Sequence, residues 1–579
     1  MAGGQWTETN KVLPGIYINY KTKPNVQATV GTRGVVAIAK ELPWGPTDTL
    51  MEINDITKIK SITGYDIASP EMLFVRELTK GTDLTKGASS IFLGRLKEIG
   101  GSQAQIKIGD LTVKAKYTGI RGNDISVIVS PVISTKGQRP TEPPYTTLDM
   151  SPKTGEHSVT NGTSLSLTIT TDGDTVQAES SKPTIGHIEV TNKIIKFTPV
   201  LAGETNLTVV TKKTGSKDNK AVYKLTVTAD TTNWKVNIQE TTAPQTNTPA
   251  GPDEDDYVQW TVQTLVDMTM VDEQTVGIFK GKDNDENVFG RIEDLVTNDW
   301  VMFEGAGYFE ANAGAYLTGG TNGTVATDAH TDFITKLSKK TFNVVIYDGN
   351  DAVMKSIYKA FVDRLCKDEG RYVVGVMANY VSANSEYIIS VNNSVTNDEG
   401  YKLTPEQMTW WVGGASAGAN YNESLTYKQY PGATAVEPEY ENSELGELLT
   451  KGNLLFFKLN GKILLLSDVN TFTSFTPEKG KALRKNRVIR TIMQICNDLY
   501  VGYSEQYIGK VDVNKSGVGL VKAYGINYLN QIQANNGIKN FDPDNDFTVN
   551  EFEIDSMKIA MNIQPVDSLE KLYIQMTIA

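Results

Sequence analysis

Chemistry-bearing residues are scarce in this chain. Its 579 residues include two cysteines, Cys366 and Cys496, and three histidines, His157, His187 and His330. Both cysteines sit within helical apolar patterns, which reads them as reduced core residues rather than a disulfide or redox pair. The histidines stand apart from one another, so no zinc site is supported. No run of about 18 apolar residues is available to cross a bilayer, and the opening MAGGQWTETN has neither the basic flank nor the apolar run of a signal peptide. The expectation is a chain made and folded in a cytoplasm, without membrane insertion. Basic residues are outnumbered, 56 Lys and Arg against 68 Asp and Glu, and the net charge of −12 argues against direct nucleic-acid binding. No P-loop or dinucleotide fingerprint occurs, and no cofactor is expected.

Two motifs imitate functional sites. Gly414-Ala415-Ser416-Ala417-Gly418 matches the G-x-S-x-G nucleophile elbow, which requires a strand before the serine and a histidine base after it. The residues before it read instead as a helix, with Thr404 as cap, Pro405 in the first position and Gln407 closing a capping box. No histidine follows His330, so a hydrolase of that order lacks its base. Asp542-Pro543-Asp544-Asn545-Asp546, with Glu553 further on, resembles a calcium-binding EF-hand loop. Its sixth position is Phe547 where the turn needs glycine, which favours a plain acidic loop and no metal site. No catalytic residue emerges.

What the chain does contain is ordinary globular composition, 39% hydrophobic and 21% charged, in a length sufficient for about three to five domains. Both ends read as strands without a neighbour in sequence. Ile16, Ile18 and Tyr20 share one face of Ile16-Tyr17-Ile18-Asn19-Tyr20, and Leu572, Ile574, Met576 and Ile578 share one face of the final run. An unpaired terminal strand is either covered or used to extend another subunit's sheet.

Between these arms, taken as residues 1–27 and 566–579, the patterns divide as follows. Residues 28–100 read as an N-terminal unit with an apolar strand at Gly34 to Ala39 and a helix opened by Ser69-Pro70-Glu71. Residues 101–135 and 232–280 read as a discontinuous β-sandwich, with Trp234-Lys235-Val236-Asn237-Ile238 as its first strand after the interruption. Residues 136–231 fill that gap with short Thr/Ser/Val-rich strands. Residues 281–453 read as α/β, with a strand at Phe342 to Tyr347, a helix capped by Asn350 and a parallel strand at Arg371 to Met377. In residues 454–565, Leu454 to Leu459 and Lys462 to Leu466 flank Asn460-Gly461, a type I′ hairpin signal, and a long helix is predicted from about Pro477.

One segment runs against the chain's acidic balance. Lys479 to Arg490 holds six basic residues and no acidic one: Lys479, Lys481, Arg484, Lys485, Arg487 and Arg490. Leu483, Val488, Ile492, Ile495 and Leu499 give it and its continuation an apolar stripe, so the cations would surround a packing face. A solvated helix face is one reading. Recognition of an acidic partner surface is the other.

Resemblances add to these readings. The order Ser180-Ser181-Lys182-Pro183, Ile188-Glu189-Val190, Ala202-Gly203-Glu204-Thr205 and Leu225-Thr226-Val227 makes the inserted segment similar to a bacterial Ig-like domain of the second group. Pro14-Gly15-Ile16-Tyr17, Arg33-Gly34-Val35-Val36-Ala37 with Trp44-Gly45-Pro46, Ala115 to Ile125, Val271 to Val276, Val469-Asn470-Thr471-Phe472-Thr473 and Asn486-Arg487-Val488-Ile489-Arg490-Thr491-Ile492 follow one another along nearly the whole chain. In that order they resemble the sheath protein of a contractile phage tail, in the branch typical of phages of Gram-positive bacteria.

The resemblance implies an α+β multidomain fold. Its parts would be a subtilisin-like α/β core without catalysis, an α+β C-terminal domain, a β-sandwich, the Ig-like insertion and extended arms. It implies a helical homo-oligomer in the virion tail, assembled in the host cytoplasm, with tail tube, baseplate and tail terminator proteins as partners. Ile16, Tyr17, Ile18, Tyr20, Leu572, Ile574, Met576 and Ile578 would exchange strands between subunits, and the six cations from Lys479 to Arg490 would face the tube. The insertion would face outward, where it could meet cell-wall carbohydrate. A contractile bacteriocin or injection-system sheath fits the same residues, and an Ig-containing surface adhesin is a further alternative.

Overall fold

The computed structural model describes residues 2–4, 15–17, 30–133, 144–229, 232–246, 256–280, 292–306 and 309–578. Its centre is a seven-stranded sheet. In order across it lie Asn453–Leu454, Ile388–Val391, Val374–Ala378, Val344–Tyr347, Val35–Lys40, Ser90–Arg95 and Met51–Ile53, all parallel except the last. Parallel strands need crossovers and are buried on both faces, which is why they are continuous apolar runs rather than alternating ones. Val36, Ile38, Val344 and Ile346 pack on one side with the helices Leu73–Lys80 and Pro405–Gly418. Ala37, Ala39, Val345 and Tyr347 pack on the other with Ala329–Leu337 and Ala352–Lys367.

This sheet corrects the division into separate units at 28–100 and 281–453. Val35–Lys40 hydrogen-bonds directly to Val344–Tyr347, so the two stretches form one α/β layer. Asn453–Leu454 adds its edge strand, although the expected boundary at 453/454 puts Leu454 in the next unit. The helix after Tyr347 is capped by Asp351, whose carboxylate accepts from the Met354 N–H at 2.8 Å, one residue later than Asn350.

The β-sandwich is built from two sheets. One contains Thr269–Lys280, Asp256–Val266, Ile125–Ile133 and Asn312–Tyr316, and the other Val301–Glu304, Leu111–Ala115 and Gln105–Ile108. Val113, Val127, Val129, Val262, Trp300 and Val301 fill the space between them. Residues beyond 280 therefore belong to it, contrary to the expected boundary.

Among the described residues the insertion is a two-sheet antiparallel sandwich of nine strands with its own core of Leu167, Ile195, Phe197, Leu207, Tyr223, Leu225, Val236 and Ile238. Asn233–Thr242 lies between Gly155–Thr160 and Asn219–Ala229, so the strand at Trp234 closes the insertion instead of resuming the first sandwich. The chain departs after Ile133, which pairs with Val258 across the ladder. Exit and return thus occupy neighbouring points of one sheet.

Beyond residue 454 come the hairpin Phe456–Leu459/Lys462–Leu465, the helices Asn486–Gln506 and Lys515–Ala534, and the hairpin Phe547–Glu553/Ser556–Met561. Ile495, Leu499, Tyr528, Leu529, Ile532 and Phe547 form a common core for the two helices and the last hairpin, whereas Phe456, Ile463 and Leu465 of the first hairpin pack into the core of the α/β layer.

Candidate assembly surfaces

The last residues form no strand within the subunit. From Val566 onward the described backbone joins no sheet, and Leu572, Ile574, Met576 and Ile578 are 72%, 77%, 81% and 89% exposed. Tyr573, on the opposite face, is 86% exposed. The alternation is real in sequence but covers no surface among the described residues of its own subunit. At the other end, Gly15–Tyr17, which carries Ile16 and Tyr17, pairs in parallel with Ala2–Gly4. That strand has a partner close in sequence after all, though two three-residue strands are a marginal sheet by themselves. Ile18 and Tyr20 lie outside the described residues.

The basic segment is not one helix. Lys481–Arg484 is a 3₁₀ turn, and the α-helix begins at Asn486, so only Arg487 and Arg490 stand on it. Lys481 is exposed and makes no ion pair among the described residues. Lys479 is half-exposed and reaches Glu386 at 2.5 Å. Lys485 contacts the carboxylate of Glu570 and the Ser467 hydroxyl. Arg484 and Arg487 are half-buried. Burial pushes both guanidiniums below their ordinary value, and Glu570 and Asp567 respectively oppose that shift. Nε and Nη2 of Arg484 and Nε of Arg487 are buried without a hydrogen-bond partner among the described residues.

Arg490 corrects the expectation outright. Its side chain is 3% exposed, lies 3.3 Å from Asp468, itself 1% exposed, and donates to the Glu423 carbonyl at 2.6 Å. Asp468 also accepts from Asn486 Nδ2 at 2.8 Å and the Leu425 N–H at 3.1 Å. The charge of Arg490 is consumed inside the subunit, where it ties the helix start to two loops. The apolar period identified the stripe but not the depth to which the helix sinks beside it.

The serine motif is structural. Pro405–Gly418 is a helix with the expected capping box, and Ser416 is 1% exposed with Arg490 Nη2 3.5 Å away. A Cβ on Gly414 would meet the Leu78 carbonyl oxygen at 2.0 Å, and one on Gly418 the Lys86 carbonyl oxygen at 2.1 Å. The glycines admit neighbouring backbone; they do not shape a nucleophile elbow. In the acidic loop, Asp542 accepts from Asn545 Nδ2 at 2.7 Å and the Asp544 N–H at 3.1 Å, while Asp546 accepts from the Asp542 N–H at 2.9 Å. These carboxylates hold the turn itself. Cys366 and Cys496 are free thiols, both pushed up by burial, Cys366 to about 12. His330 meets the Tyr358 hydroxyl at 2.9 Å in the core.

Sequence reasoning missed Glu570 and Asp468. Glu570 opens the alternating C-terminal run three residues after Asp567, and Asp468 follows the apolar strand Lys462–Leu465. The available signal was that each could answer a cation of the basic segment.

Residues 33–96 match the N-terminal region of domain III of the tail sheath protein Gp18, residues 323–471 the phage tail sheath protein central domain, and residues 478–579 the phage tail sheath C-terminal domain. The phage-like element PBSX protein XkdK of Bacillus subtilis is 26% identical over 588 residues, covering 99% of both chains. The tail sheath protein of Clostridium phage phiCD119 is 25% identical over 179 residues, 31% of this chain and 49% of that protein. The solved sheath tail protein from Desulfitobacterium hafniense superimposes with a TM-score of 0.64 at 29% identity, covering 97% of this chain and 99% of that one.

Proposed function

The chain is a structural subunit of a contractile phage tail sheath, a component of the virion tail, and we propose that it polymerises by exchanging terminal strands with its neighbours. The observation that carries this reading is the bare apolar face of Leu572, Ile574, Met576 and Ile578. Burying such side chains contributes about 1.5–3 kcal/mol each, on the order of 6–12 kcal/mol gross per subunit before the costs of ordering and association. An acceptor is available in the hairpin Phe547–Glu553/Ser556–Met561. It is a two-stranded sheet whose outer edges are unpaired among the described residues, with Phe552 and Ile554 exposed. Ile16, Tyr17, Ile18 and Tyr20 would supply the second incoming strand.

In this proposal Lys479, Lys481, Arg484, Lys485 and Arg487 face an acidic tail tube, while Arg490 anchors the segment from inside. The α/β layer serves as a subtilisin-like scaffold without catalysis, and the insertion is an Ig-like module pointing outward, available to cell-wall carbohydrate. Baseplate and terminator proteins bound the polymer, and the full-length likeness to a Bacillus protein supports the Gram-positive branch. The extended sheath is metastable; contraction lets subunits move as near-rigid bodies into a state that buries more surface. Exchanged strands keep neighbours linked while segments near residues 21–27 and Pro565 bend, so no nucleotide is consumed. Negative-stain electron microscopy of the purified chain tests this. Striated tubes from the full chain and none from a chain ending at Glu570 are expected; equal tubes from both would refute strand exchange.

A further inference from the structure

The C-terminal run is loose at its tip but fixed at its base. Residues 571–578 are all exposed, whereas the Glu570 side chain is only 18% exposed. Its carboxylate receives the Lys485 ammonium, the Thr426 hydroxyl at 2.8 Å and the Ser467 hydroxyl at 3.3 Å. These groups come from three stretches well separated along the chain, so the seat is assembled by tertiary structure. Upstream, the nearest fixed backbone is Val566, whose N–H donates to the Gly537 carbonyl at 2.9 Å, next to the strand pair Gln564–Pro565/Ile538–Lys539.

We propose that Glu570 is a positioning residue that sets the length of the exchangeable arm. With the carboxylate seated, the arm beyond it is residues 571–579, which would span about 30 Å when extended at ~3.3 Å per residue. Unseated, the root retreats to Val566, and residues 567–570 lengthen the arm by about 13 Å. A strand's register is specified in steps of two residues, so that slack admits several pairings where a short arm admits one. Glu570 thereby makes each subunit offer its strand at one distance. Lys485 belongs to the basic segment, so a single ion pair also joins the arm's root to the surface that would face the tube.

What the arm does rests on the strand-exchange reading, but the seat is a property of one subunit and is tested there. Hydrogen-exchange mass spectrometry on unassembled full chain is the experiment. Glu570→Ala is expected to raise exchange about tenfold at the Ser568 amide, which donates to the Asp567 carboxylate, through the loss of a charge-assisted bond set, with Phe547–Met561 unchanged. Unchanged exchange at Ser568 would overturn the proposal. If Glu570→Ala fails to fold, Lys485→Glu should lose the protection and adding Glu570→Lys should restore it; a double variant as exposed as Lys485→Glu would also overturn it. Tubes from Glu570→Ala should vary in diameter or pitch, and uniform wild-type tubes would count against the length-setting role. The chain ending at Glu570 judges strand exchange separately, so the two failures are distinguishable.

Discussion

Arg490→Ala should destabilise the subunit severely while Lys481→Ala leaves it intact, although both residues belong to one run of like charge. Arg490 and Asp468 are 3% and 1% exposed, and Asp468 keeps only neutral donors, Asn486 and the Leu425 N–H, once the guanidinium is gone. Removing one partner of a buried ion pair costs about 3–5 kcal/mol because the other charge is stranded. The Glu423 carbonyl loses its donor as well. That cost corresponds to a rise of roughly two to three and a half orders of magnitude in local opening. Hydrogen exchange along Asn486–Gln506 reads this directly, without assuming that a multidomain chain unfolds in one step. Arg490→Lys should recover part of the stability, since an ammonium restores charge but not the guanidinium's divided contacts. Wild-type protection in Arg490→Ala, combined with loss of tube binding, would refute the buried role and return Arg490 to the contact surface.

Three further outcomes are expected. Replacing residues 134–257 with an Asn-Gly turn should leave tubes intact, because Ile133 and Val258 are already paired across an antiparallel ladder that two residues can close; failure of those variants to form tubes in the electron microscope would end the peripheral role of the insertion. Gly414→Ala should cost about 1–3 kcal/mol in chemical denaturation despite alanine's better helix propensity, since the Leu78 backbone occupies the space of the methyl, whereas Ser416→Ala should be nearly silent. The reverse ranking would contradict this packing account. In the insertion, hydrogen bonds from the Thr147 N–H and hydroxyl lower the Asp172 carboxyl from 3.8 to about 2. A depressed carboxyl stabilises fully above its unfolded value and loses that contribution as pH falls through the folded one. The melting difference between residues 144–246 and their Asp172→Asn variant should therefore be largest above pH 5 and shrink toward pH 2; a difference independent of pH would contradict the assignment.

Local signals were legible where local chemistry decides. Asn460 and Gly461 take φ values of 50° and 78°, as a type I′ turn demands, and Thr404, Pro405 and Gln407 open their helix as read. The crossover from Val344–Tyr347 to Val374–Ala378 also followed from pattern alone. Pairing between distant strands did not. Nothing in the apolar run at Val35 names Val344 as its neighbour, because a strand buried on both faces carries no register signal. Trp234 misled for a related reason: alternation marks a strand but not which of two adjacent sandwiches receives it. Charge was the least legible feature. Six cations in one segment look alike in sequence, yet one is buried, two are half-buried, two answer acids and one has no acidic partner among the described residues, according to whether Asp468, Glu570 or Glu386 lies within reach.

The central claim is that this subunit reserves its C-terminal strand for a neighbour. Cryo-electron microscopy of tubes assembled from the full chain tests it most directly. The account predicts residues 571–578 as a strand hydrogen-bonded along the Phe547–Glu553/Ser556–Met561 hairpin of an adjacent subunit, with Leu572, Ile574, Met576 and Ile578 buried on one face. Density for those residues folded onto their own subunit, or lying free of any neighbour in a well-ordered tube, would contradict it.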